Sequence, residues 1–428
     1  MPLELKFRRL SSTVFGALFA VLSALPACAF FLASTTATQA GEPLKIGYSM
    51  SLTGGLAANG RSALLAHKIW EEDTNATGGL LGRPVKLIYY DDQTNPATVP
   101  DIYVKLLDVD KVDLIIGPYA TNLQAPAMPI AMQRKKVFIG LLGTAVNSTF
   151  NYSNYFSIAP NGPEPKRSYT KGFVDLAVRQ SPRPQTVAIV AADGEFALNS
   201  AEGVRENVKA GGLTVVYDRR YPSATSDLVP VVRAIAETNP DLVIVCSYPP
   251  DSVAMVRAVT NFKPKMIGGA MVGLQSTAIK ARLGPLLNGW TIYDVWLPVP
   301  KMLFAGVDEL MKKYQAHAAV EGVDALGYYM VPWSYAQLQV LQQAVTATQS
   351  LDDARLGDYI RANTFKTVVG DVKFGSDGEL AQSRVLQVQF RNVKTNDLTQ
   401  FKDISTQVVV APAEYESGRL IYPYEQAK

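Results

Sequence analysis

Residues 85–118 read VKLIYYDDQTNPATVPDIYVKLLDVDKVDLIIGP, and this stretch decides the fold class. Its apolar start, Val85–Tyr90, predicts a buried strand that ends at the acidic pair Asp91-Asp92. The segment TNP at 94–96 predicts a helix start, because a capping side chain followed by proline is typical of a first helical turn. Val112–Ile116 predicts the next strand. A strand, a helix and a second strand in this order indicate a parallel α/β unit.

The same alternation continues on both sides of this unit. One run of strand and helix signals begins at Leu44–Met50 and another at Thr186–Ala191, with the break NGPEP at 161–165 between them. Near the end, Val385–Phe390 and Thr406–Val410 predict antiparallel strands joined by polar turns. The sequence therefore predicts two α/β domains. In open parallel sheets the ligand crevice lies beyond the carboxyl ends of the strands.

The first 40 residues predict a cleavable secretory signal. They carry a basic start, an apolar middle and small residues before a polar stretch, and cleavage after Ala40 would leave 388 of the 428 residues. The segment LPAC at 25–28 is similar to a lipoprotein processing box, which would lipidate Cys28. The apolar residues that follow Cys28 and the later small-residue site argue against that use. We therefore predict a periplasmic protein.

Composition excludes several function classes. The chain is 48% hydrophobic and 18% charged, which is typical of a globular protein. The net charge is only +3, and most of it lies in the first 40 residues, so charge gives no reason to expect nucleic acid or an anionic membrane as a partner. The rest of the chain has no apolar run of about 18 residues. Without the signal, Cys246 is the single cysteine, so no internal disulfide is expected.

Motifs for cofactor chemistry are missing from the sequence. There is no phosphate-binding G-x-x-x-x-G-K-[ST] loop, no G-x-G-x-x-G after the first strand and no G-x-S-x-G elbow. Neither His67 nor His317 neighbours a second plausible metal ligand, so we predict no metal and no cofactor. Asp91-Asp92 has two interpretations: paired carboxylates for acid–base chemistry, or a turn at a strand end that caps the next helix.

Small hydroxyl residues follow the predicted strands of the first run. Thr121 and Thr144 each stand just after a strand, and Leu142 ends one. Hydroxyls and free backbone N–H groups at helix starts bind anions, so these three residues predict a carboxylate site. The alternative is that they only cap helices. In the second run, Phe196 and Tyr248 follow strands, where aromatic rings either stack on a ligand or pack in the core.

At these residues the chain resembles a known family: the substrate-binding proteins of branched-chain amino-acid (Leu/Ile/Val type) ABC transporters, which are type I periplasmic binding proteins. The resemblance runs from about Leu44 to Val410. It rests on IG at 46–47 with LTG at 52–54, NATGG at 75–79 with LG at 81–82, YDD at 90–92, IGPY at 116–119 and NPD at 239–241.

The resemblance implies two Rossmann-like lobes, joined by a hinge of three crossing segments, with the ligand cleft between them. We expect the N-terminal lobe to hold residues 41–160 and 295–370, and the C-terminal lobe to hold 161–294 and 371–428. The crossings are expected near Ser157–Asn161, Tyr293–Leu297 and Val368–Lys373.

The resemblance also implies roles for single residues. The hydroxyl that contacts the ligand carboxylate falls at Thr121, with Leu142 and Thr144 beside it. The family's aromatic of the far lobe is kept at Tyr248, another that is usually tyrosine falls at Phe196, and the first-lobe aromatic is replaced by Asn59. Thr94 and Ala120 stand near the family's disulfide cysteines. The ligand-binding residues that we predict are Asn59, Tyr119, Thr121, Leu142, Thr144, Phe196, Tyr248, Ala270 and Met271.

The most informative departure is Ala270, where amino-acid binders of this family place an acid that pairs with the ligand ammonium. An unpaired buried ammonium would cost several kcal/mol, so an ordinary amino acid should bind poorly. Asp193 or Glu195 could substitute for the missing acid. The sequence therefore predicts a non-enzymatic, monomeric binding protein that delivers an apolar or aromatic carboxylate to a membrane permease and its ATPase.

Two alternatives remain open at this point. One is an amino-acid or amide sensor of the same fold, which hands its signal to a partner protein. The other is a secreted α/β enzyme that uses Asp91-Asp92.

Overall fold

The computed structural model describes residues 41–259 and 262–427, which form two sheets covered by helices. The predicted signal, residues 1–40, lies outside the described residues. The sequence also predicts a helix over 252–261, and its last two residues lie outside the described ranges as well. The strands are β1 (Leu44–Met50), β2 (Val85–Asp91), β3 (Leu114–Ile115), β4 (Phe138–Leu141), β5 (Tyr155–Ile158), β6 (Thr186–Ala192), β7 (Thr214–Tyr221), β8 (Leu242–Ser247), β9 (Met266–Met271), β10 (Thr291–Asp294), β11 (Thr364–Thr367), β12 (Gly370–Lys373), β13 (Leu386–Phe390) and β14 (Gln407–Ala411).

Helices alternate with these strands. They are α1 (Ala57–Ala76), α2 (Val99–Asp108), α3 (Thr121–Gln133), α4 (Asn147–Phe150), α5 (Pro165–Ala177), α6 (Glu195–Ala210), α7 (Val229–Glu237), α8 (Pro249–Ala258), α9 (Thr277–Leu283), α10 (Val307–Glu321), α11 (Val331–Thr348) and α12 (Asp353–Ala362). Within the described ranges, no helix combines the length and the apolar composition that a membrane span needs.

The first sheet is parallel and has β1 at its centre. Strand β1 pairs with β2 on one side and β3 on the other, with Leu44 opposite Val85 and Ile46 opposite Leu114. A hydrogen bond from Gly117 N to Ile139 O (2.8 Å) extends this sheet to the parallel pair β4–β5. Helices α1, α10 and α11 and the hairpin β11–β12 pack with it. The strand–helix–strand unit that residues 85–118 predict is confirmed.

The second sheet has the order β14-β13-β10-β9-β8-β6-β7. Strands β6 to β10 pair in parallel, while β13 and β14 are antiparallel, as the sequence predicts for the C-terminal segments. The strand β8 is buried along its whole length, which matches its unbroken apolar run. Its Cys246 is a free thiol whose pKa burial raises to about 12.

The chain passes between the two sheets three times. It leaves the first sheet after Ile158, returns after Asp294 and leaves again between Lys373 and Leu386. The first two passages coincide with predicted crossings. The third passage comes later than predicted: the segment 368–373 belongs to the hairpin β11–β12, and the chain leaves the first sheet only after Lys373. The assignment of residues to lobes by these boundaries stays a prediction.

The loop after β1 is tied down by the two aspartates that follow β2. Asp91 accepts hydrogen bonds from Leu52 N (2.9 Å) and from the hydroxyl of Thr53 (2.7 Å). Asp92 is buried, accepts from the hydroxyls of Ser49 (3.1 Å) and Ser51 (2.6 Å), and has its pKa raised by burial. Both carboxylates are occupied by contacts that hold a loop, so the geometry favours the structural interpretation of the acidic pair.

Replacing Asp92 with alanine is expected to destabilise the protein. The change leaves buried hydroxyls of Ser49 and Ser51 without their acceptor, and each such group costs about 1–3 kcal/mol. Urea unfolding followed by circular dichroism measures the loss. The exposed Glu237→Ala serves as the control and should change the free energy of unfolding by about 0.5 kcal/mol or less. Equal stabilities of the two variants would contradict the structural role of Asp92.

Candidate ligand site

A small cavity lies where the carboxyl ends of strands from both sheets meet. The empty space between its lining atoms is about 290 Å³. Aromatic rings project into this space, so only about one water molecule would fit. Its wall comes from loops after β3, β4, β8 and β9, from α5 and α6, and from the segments before α1 and α11. The lining residues are Leu56, Tyr119, Ala120, Thr121, Leu142, Tyr169, Phe196, Tyr248, Val272 and Tyr329.

One end of the cavity is built from hydroxyl and N–H groups. Thr121 is the first residue of α3, and its Oγ1 accepts a hydrogen bond from Thr144 N (2.9 Å), which leaves the hydroxyl proton of Thr121 free to be donated. Thr144 is fully buried, and its Oγ1 has no hydrogen-bond partner of good geometry, although the Tyr169 hydroxyl lies beside it. These groups at the N-terminus of a 13-residue helix suit a bound anion.

The backbone at this end is held in an uncommon conformation. Ala120 has a φ of 77° and Leu142 a φ of 48°, both in the left-handed region that side chains other than glycine rarely adopt. Hydrogen bonds from Ala120 N to Leu141 O (3.1 Å) and from Leu142 N to Ile158 O (3.0 Å) hold the two residues in place. Such strain persists only where the surroundings enforce it, and it clusters at binding sites.

The rest of the cavity faces a group of aromatic rings, which we call the aromatic cluster: Tyr169, Phe196, Tyr248, Tyr293 and Tyr329. The rings of Tyr169 and Phe196 meet edge to face at 5.6 Å between centroids, and those of Phe196 and Tyr248 at 6.0 Å. Tyr293 lies behind the wall and joins Tyr169 (4.5 Å) to Tyr329 (6.3 Å). Edge-to-face packing is the arrangement that aromatic rings prefer, so a further ring could be accepted among them.

The tyrosine hydroxyls of the wall are bonded to protein groups. Asn59 Nδ2 donates to the Tyr119 hydroxyl (2.9 Å), and the Tyr293 and Tyr329 hydroxyls lie 2.9 Å apart. Burial raises the pKa of Tyr119 to about 12, so this phenol stays neutral at physiological pH. The Tyr248 hydroxyl accepts from Phe196 N (3.1 Å) and fixes the start of α6. The wall is therefore polar in places but uncharged.

The cavity lining contains no acidic and no basic side chain among the described residues. Asp193 is exposed and accepts from Ser223 N (3.1 Å) and its hydroxyl (3.2 Å), so it is occupied outside the cavity. Glu195 is partly buried at the start of α6 but is not in the lining, and burial raises its pKa. Ala270 is buried within β9. Nothing in the lining offers a partner for a ligand ammonium.

The structure brings most of the predicted site residues together. Five of them line the cavity, namely Tyr119, Thr121, Leu142, Phe196 and Tyr248. Thr144 is hydrogen-bonded to Thr121, and Asn59 is hydrogen-bonded to Tyr119, so both lie directly behind the cavity wall. Ala270 and Met271 lie in the buried strand β9, and the neighbouring Val272 reaches the cavity wall in their place. Direct ligand contact by each of these residues stays a prediction.

Several residues of the site escaped the sequence analysis. Tyr169 lies on α5, and Tyr329 precedes α11, so neither follows a strand in the chain. Asn199 on α6 donates from Nδ2 to Thr144 O (3.1 Å) and links the second half of the chain to the carboxylate end of the cavity. The break before α5 was visible in the sequence, but the side of α5 that meets the cavity is set by packing between distant segments.

The sequence of this chain matches known proteins over most of its length. A family model described as periplasmic binding protein matches residues 43–395. The Leu/Ile/Val-binding protein of Escherichia coli is 25% identical over 345 residues, which are 79% of this chain and 88% of that protein.

Solved structures share the fold. One is a branched-chain amino acid transporter substrate binding protein from Streptococcus pneumoniae in complex with isoleucine (TM-score 0.70, 16% identity, covering 82% of this chain and 97% of that one). Another is a Rhodopseudomonas palustris ABC transporter solute binding protein in complex with benzoate (TM-score 0.68, 17% identity, covering 82% and 94%). The two-lobed α/β architecture that the sequence predicts is confirmed.

Replacing Thr121 with valine is expected to lower the free energy of unfolding by about 1–2 kcal/mol, because the buried N–H of Thr144 loses its acceptor. Thermal unfolding measures the change without any ligand. The same replacement at the exposed strand residue Thr364 is the control and should be nearly neutral. If Thr121→Val is as stable as the control, the Thr121–Thr144 hydrogen bond does not hold the site together.

Proposed function

The chain belongs to the periplasmic binding protein family, and within it we propose that this protein captures an apolar or aromatic carboxylate in the periplasm for an ABC importer. Membership of the family supports a small-molecule ligand and a membrane transporter as partners. The benzoate complex of a protein with the same fold supports the ligand class by analogy. The proposal includes export by the N-terminal signal, a monomeric protein and no catalysis.

A single observation carries this choice of ligand. The cavity offers hydroxyl and N–H donors at one end, aromatic rings around the rest, and no charged side chain in its lining. Donors at a helix N-terminus suit a carboxylate, and the rings suit an apolar body. A molecule that carries one carboxylate on an aromatic or aliphatic skeleton meets all three conditions.

An ordinary amino acid meets only two of them. Its ammonium group would leave water for a closed cavity without a carboxylate partner, which costs several kcal/mol, or about a hundredfold or more in affinity. The neutral hydroxyls of the wall could accept hydrogen bonds from an ammonium, but a hydrogen bond to a neutral acceptor is weaker than one to a carboxylate. The isoleucine complex of another protein with this fold makes the amino acid the competing candidate.

Capture requires the cavity to open and close. In the structure the rings leave room for only about one water molecule, so a ligand must enter while the two sheets are further apart. Thr121, Leu142 and Thr144 would hold the carboxylate, and the rings of Phe196 and Tyr248 would close on the ligand from the other side. Closure of this kind is hinge bending, and it excludes water from the charged contacts. The closed form is what an importer would recognise.

A thermal-shift screen tests the proposal. The purified protein is first unfolded, dialysed and refolded, so that no copurified ligand remains. The panel holds benzoates, phenylpropenoates, aliphatic acids, branched-chain amino acids and polar amino acids. A ligand at about 100 times its dissociation constant stabilises the folded state by roughly 2.7 kcal/mol, which is visible as a raised melting temperature. We expect shifts with acids that lack an ammonium group. Shifts with amino acids alone would overturn the ligand class and keep the binding role.

Replacing Thr144 with valine is expected to weaken binding of the acid that gives the largest shift by about 10- to 100-fold, because a hydrogen bond to a charged ligand is lost. Isothermal titration calorimetry measures the affinity. Thr291 is a matched control, since it is also buried with an unpartnered hydroxyl but lies in β10 outside the cavity lining. Thr291→Val should leave the affinity within about threefold. Equal losses in both variants would contradict the role of Thr144.

A further inference from the structure

Glu379 is a buried acid without a counter-charge. Its side chain is 2% exposed, and it forms no ion pair with any described residue. It lies in the passage between β12 and β13, next to Gly378, whose carbonyl accepts from Ser157 N (2.8 Å). Glu379 therefore belongs to the third passage and lies beside the start of the first one.

Unpaired polar atoms surround this carboxyl group. Glu379 Oε1, Asn161 Oδ1 and Ser157 Oγ are all buried without a hydrogen-bond partner, and only Asn161 Nδ2 approaches Glu379 Oε2, at 3.5 Å. Buried polar atoms without partners are rare and need an explanation. A single proton on Glu379 supplies one, because the neutral carboxyl can donate to Asn161 or Ser157 while it still accepts on its other oxygen.

The same asparagine reaches the carboxylate end of the ligand cavity. Asn161 Nδ2 donates to Gly143 O (2.7 Å), and Gly143 lies between Leu142 and Thr144. One amide group therefore separates Glu379 from the loop that would hold the ligand carboxylate. A negative ligand brought this close raises the free energy of a second negative charge at Glu379.

We propose that Glu379 takes up a proton when a carboxylate binds at Thr121 and Thr144, so that the protein captures its ligand together with one proton. This inference rests on the proposed function. It assigns to Glu379 a positioning role through Asn161, without direct contact to the ligand. Proton binding is coupled to carboxylate binding, because each lowers the free energy of the other.

The groups around Glu379 favour the neutral form. Burial is the largest cause that raises the pKa of Glu379, to about 8, and Asp377 raises it further, while the nearby hydroxyl of Ser157 and amide of Asn161 lower it. The tyrosines facing it, Tyr155 and Tyr169, have raised pKa values and stay neutral. Two basic residues line the surface pocket next to Glu379, and both are paired with acids: Lys166 with Glu202, and Arg167 with Glu164 and Glu206.

The direction of the pH effect follows. With a pKa of about 8, Glu379 is about nine-tenths protonated at pH 7 and about one-tenth protonated at pH 9 in the free protein. A bound carboxylate raises this pKa, so binding takes up little proton at pH 7 and close to one proton at pH 9. The affinity should be constant below pH 7 and should fall by up to about tenfold per pH unit above pH 8.

Isothermal titration calorimetry with the wild-type protein tests the proposal directly. The probe is benzoate, or the acid that gives the largest thermal shift, titrated between pH 6 and pH 10 in buffers of different ionisation heat. The slope of the observed heat against buffer heat gives the number of protons taken up. We expect a value near zero at pH 6 and between 0.5 and 1 at pH 9. Binding without proton uptake overturns the proton proposal and leaves the proposed function intact. No binding of any acid overturns both.

Two variants identify the proton acceptor. Glu379→Gln mimics the neutral carboxyl, so it should bind the acid at pH 9 as tightly as the wild type does at pH 6, with no proton uptake and an undiminished melting temperature. Asp294 is the matched control, because burial also raises its pKa, to about 7, while Lys280 lies near it. Asp294→Asn should keep the wild-type pH profile. Uptake that persists in Glu379→Gln and disappears in Asp294→Asn overturns the assignment.

A bound cation is the competing way to satisfy the three oxygen atoms. The titration at pH 9 is therefore repeated with sodium, potassium or calcium chloride, and with choline chloride as the control that contains no metal cation. An affinity that depends on one of these metal cations and not on pH contradicts the proton proposal. An affinity that depends on pH alone supports it.

Discussion

A carboxylate that is buried between two lobes without a cation has to be held by N–H and O–H dipoles, and the proposed function depends on this constraint. The N-terminus of α3 and the hydroxyls of Thr121 and Thr144 concentrate donors in one place, and the strained backbone at Ala120 and Leu142 positions them. Fixed dipoles can replace water around an anion without a counter-charge. The strands β3 and β4 bring these groups together, because both end at the same edge of the first sheet.

The same constraint explains the rest of the cavity. A charge held by dipoles is stabilised best where water is excluded, and the aromatic cluster provides that exclusion. The rings come from segments that are far apart in the chain and meet at this cavity. Under the proposed function, ligand specificity, closure and exclusion of water would therefore depend on one set of contacts. Glu379 is buried without an ion pair where the lobes are joined, and under the proposed coupling its protonation would depend on the charge of the ligand.

Much of this fold follows from the sequence. The strands predicted at residues 44–50, 85–90, 112–116, 186–191, 385–390 and 406–410 lie within two residues of the observed ones, because buried strands have continuous apolar character, whereas β5 was not predicted. The carboxylate end was also predictable, since Thr121, Leu142 and Thr144 stand at strand ends. The resemblance to branched-chain amino-acid binding proteins predicted that two lobes are joined by three crossing segments.

Other features depend on packing between distant segments. The sequence predicts a helix over 125–133, because Thr121 and Asn122 are typical of capping residues, yet α3 begins four residues earlier, at Thr121. Tyr169 and Tyr329 meet the cavity only through tertiary packing. Glu379 stands in the polar segment GSDGEL at 375–380, whose composition is typical of an exposed turn, yet its side chain is buried.

The most direct test of the central claim compares two ligands that differ in one charged group. Calorimetric titration of the refolded protein with 3-phenylpropanoate and with L-phenylalanine keeps the ring and the carboxylate constant and changes only the ammonium. We expect 3-phenylpropanoate to bind at least a hundredfold more tightly, because the cavity lining has no partner for the ammonium. Tighter binding of L-phenylalanine would contradict the claim. It would show that an acidic side chain from outside the described cavity wall pairs with the ligand ammonium.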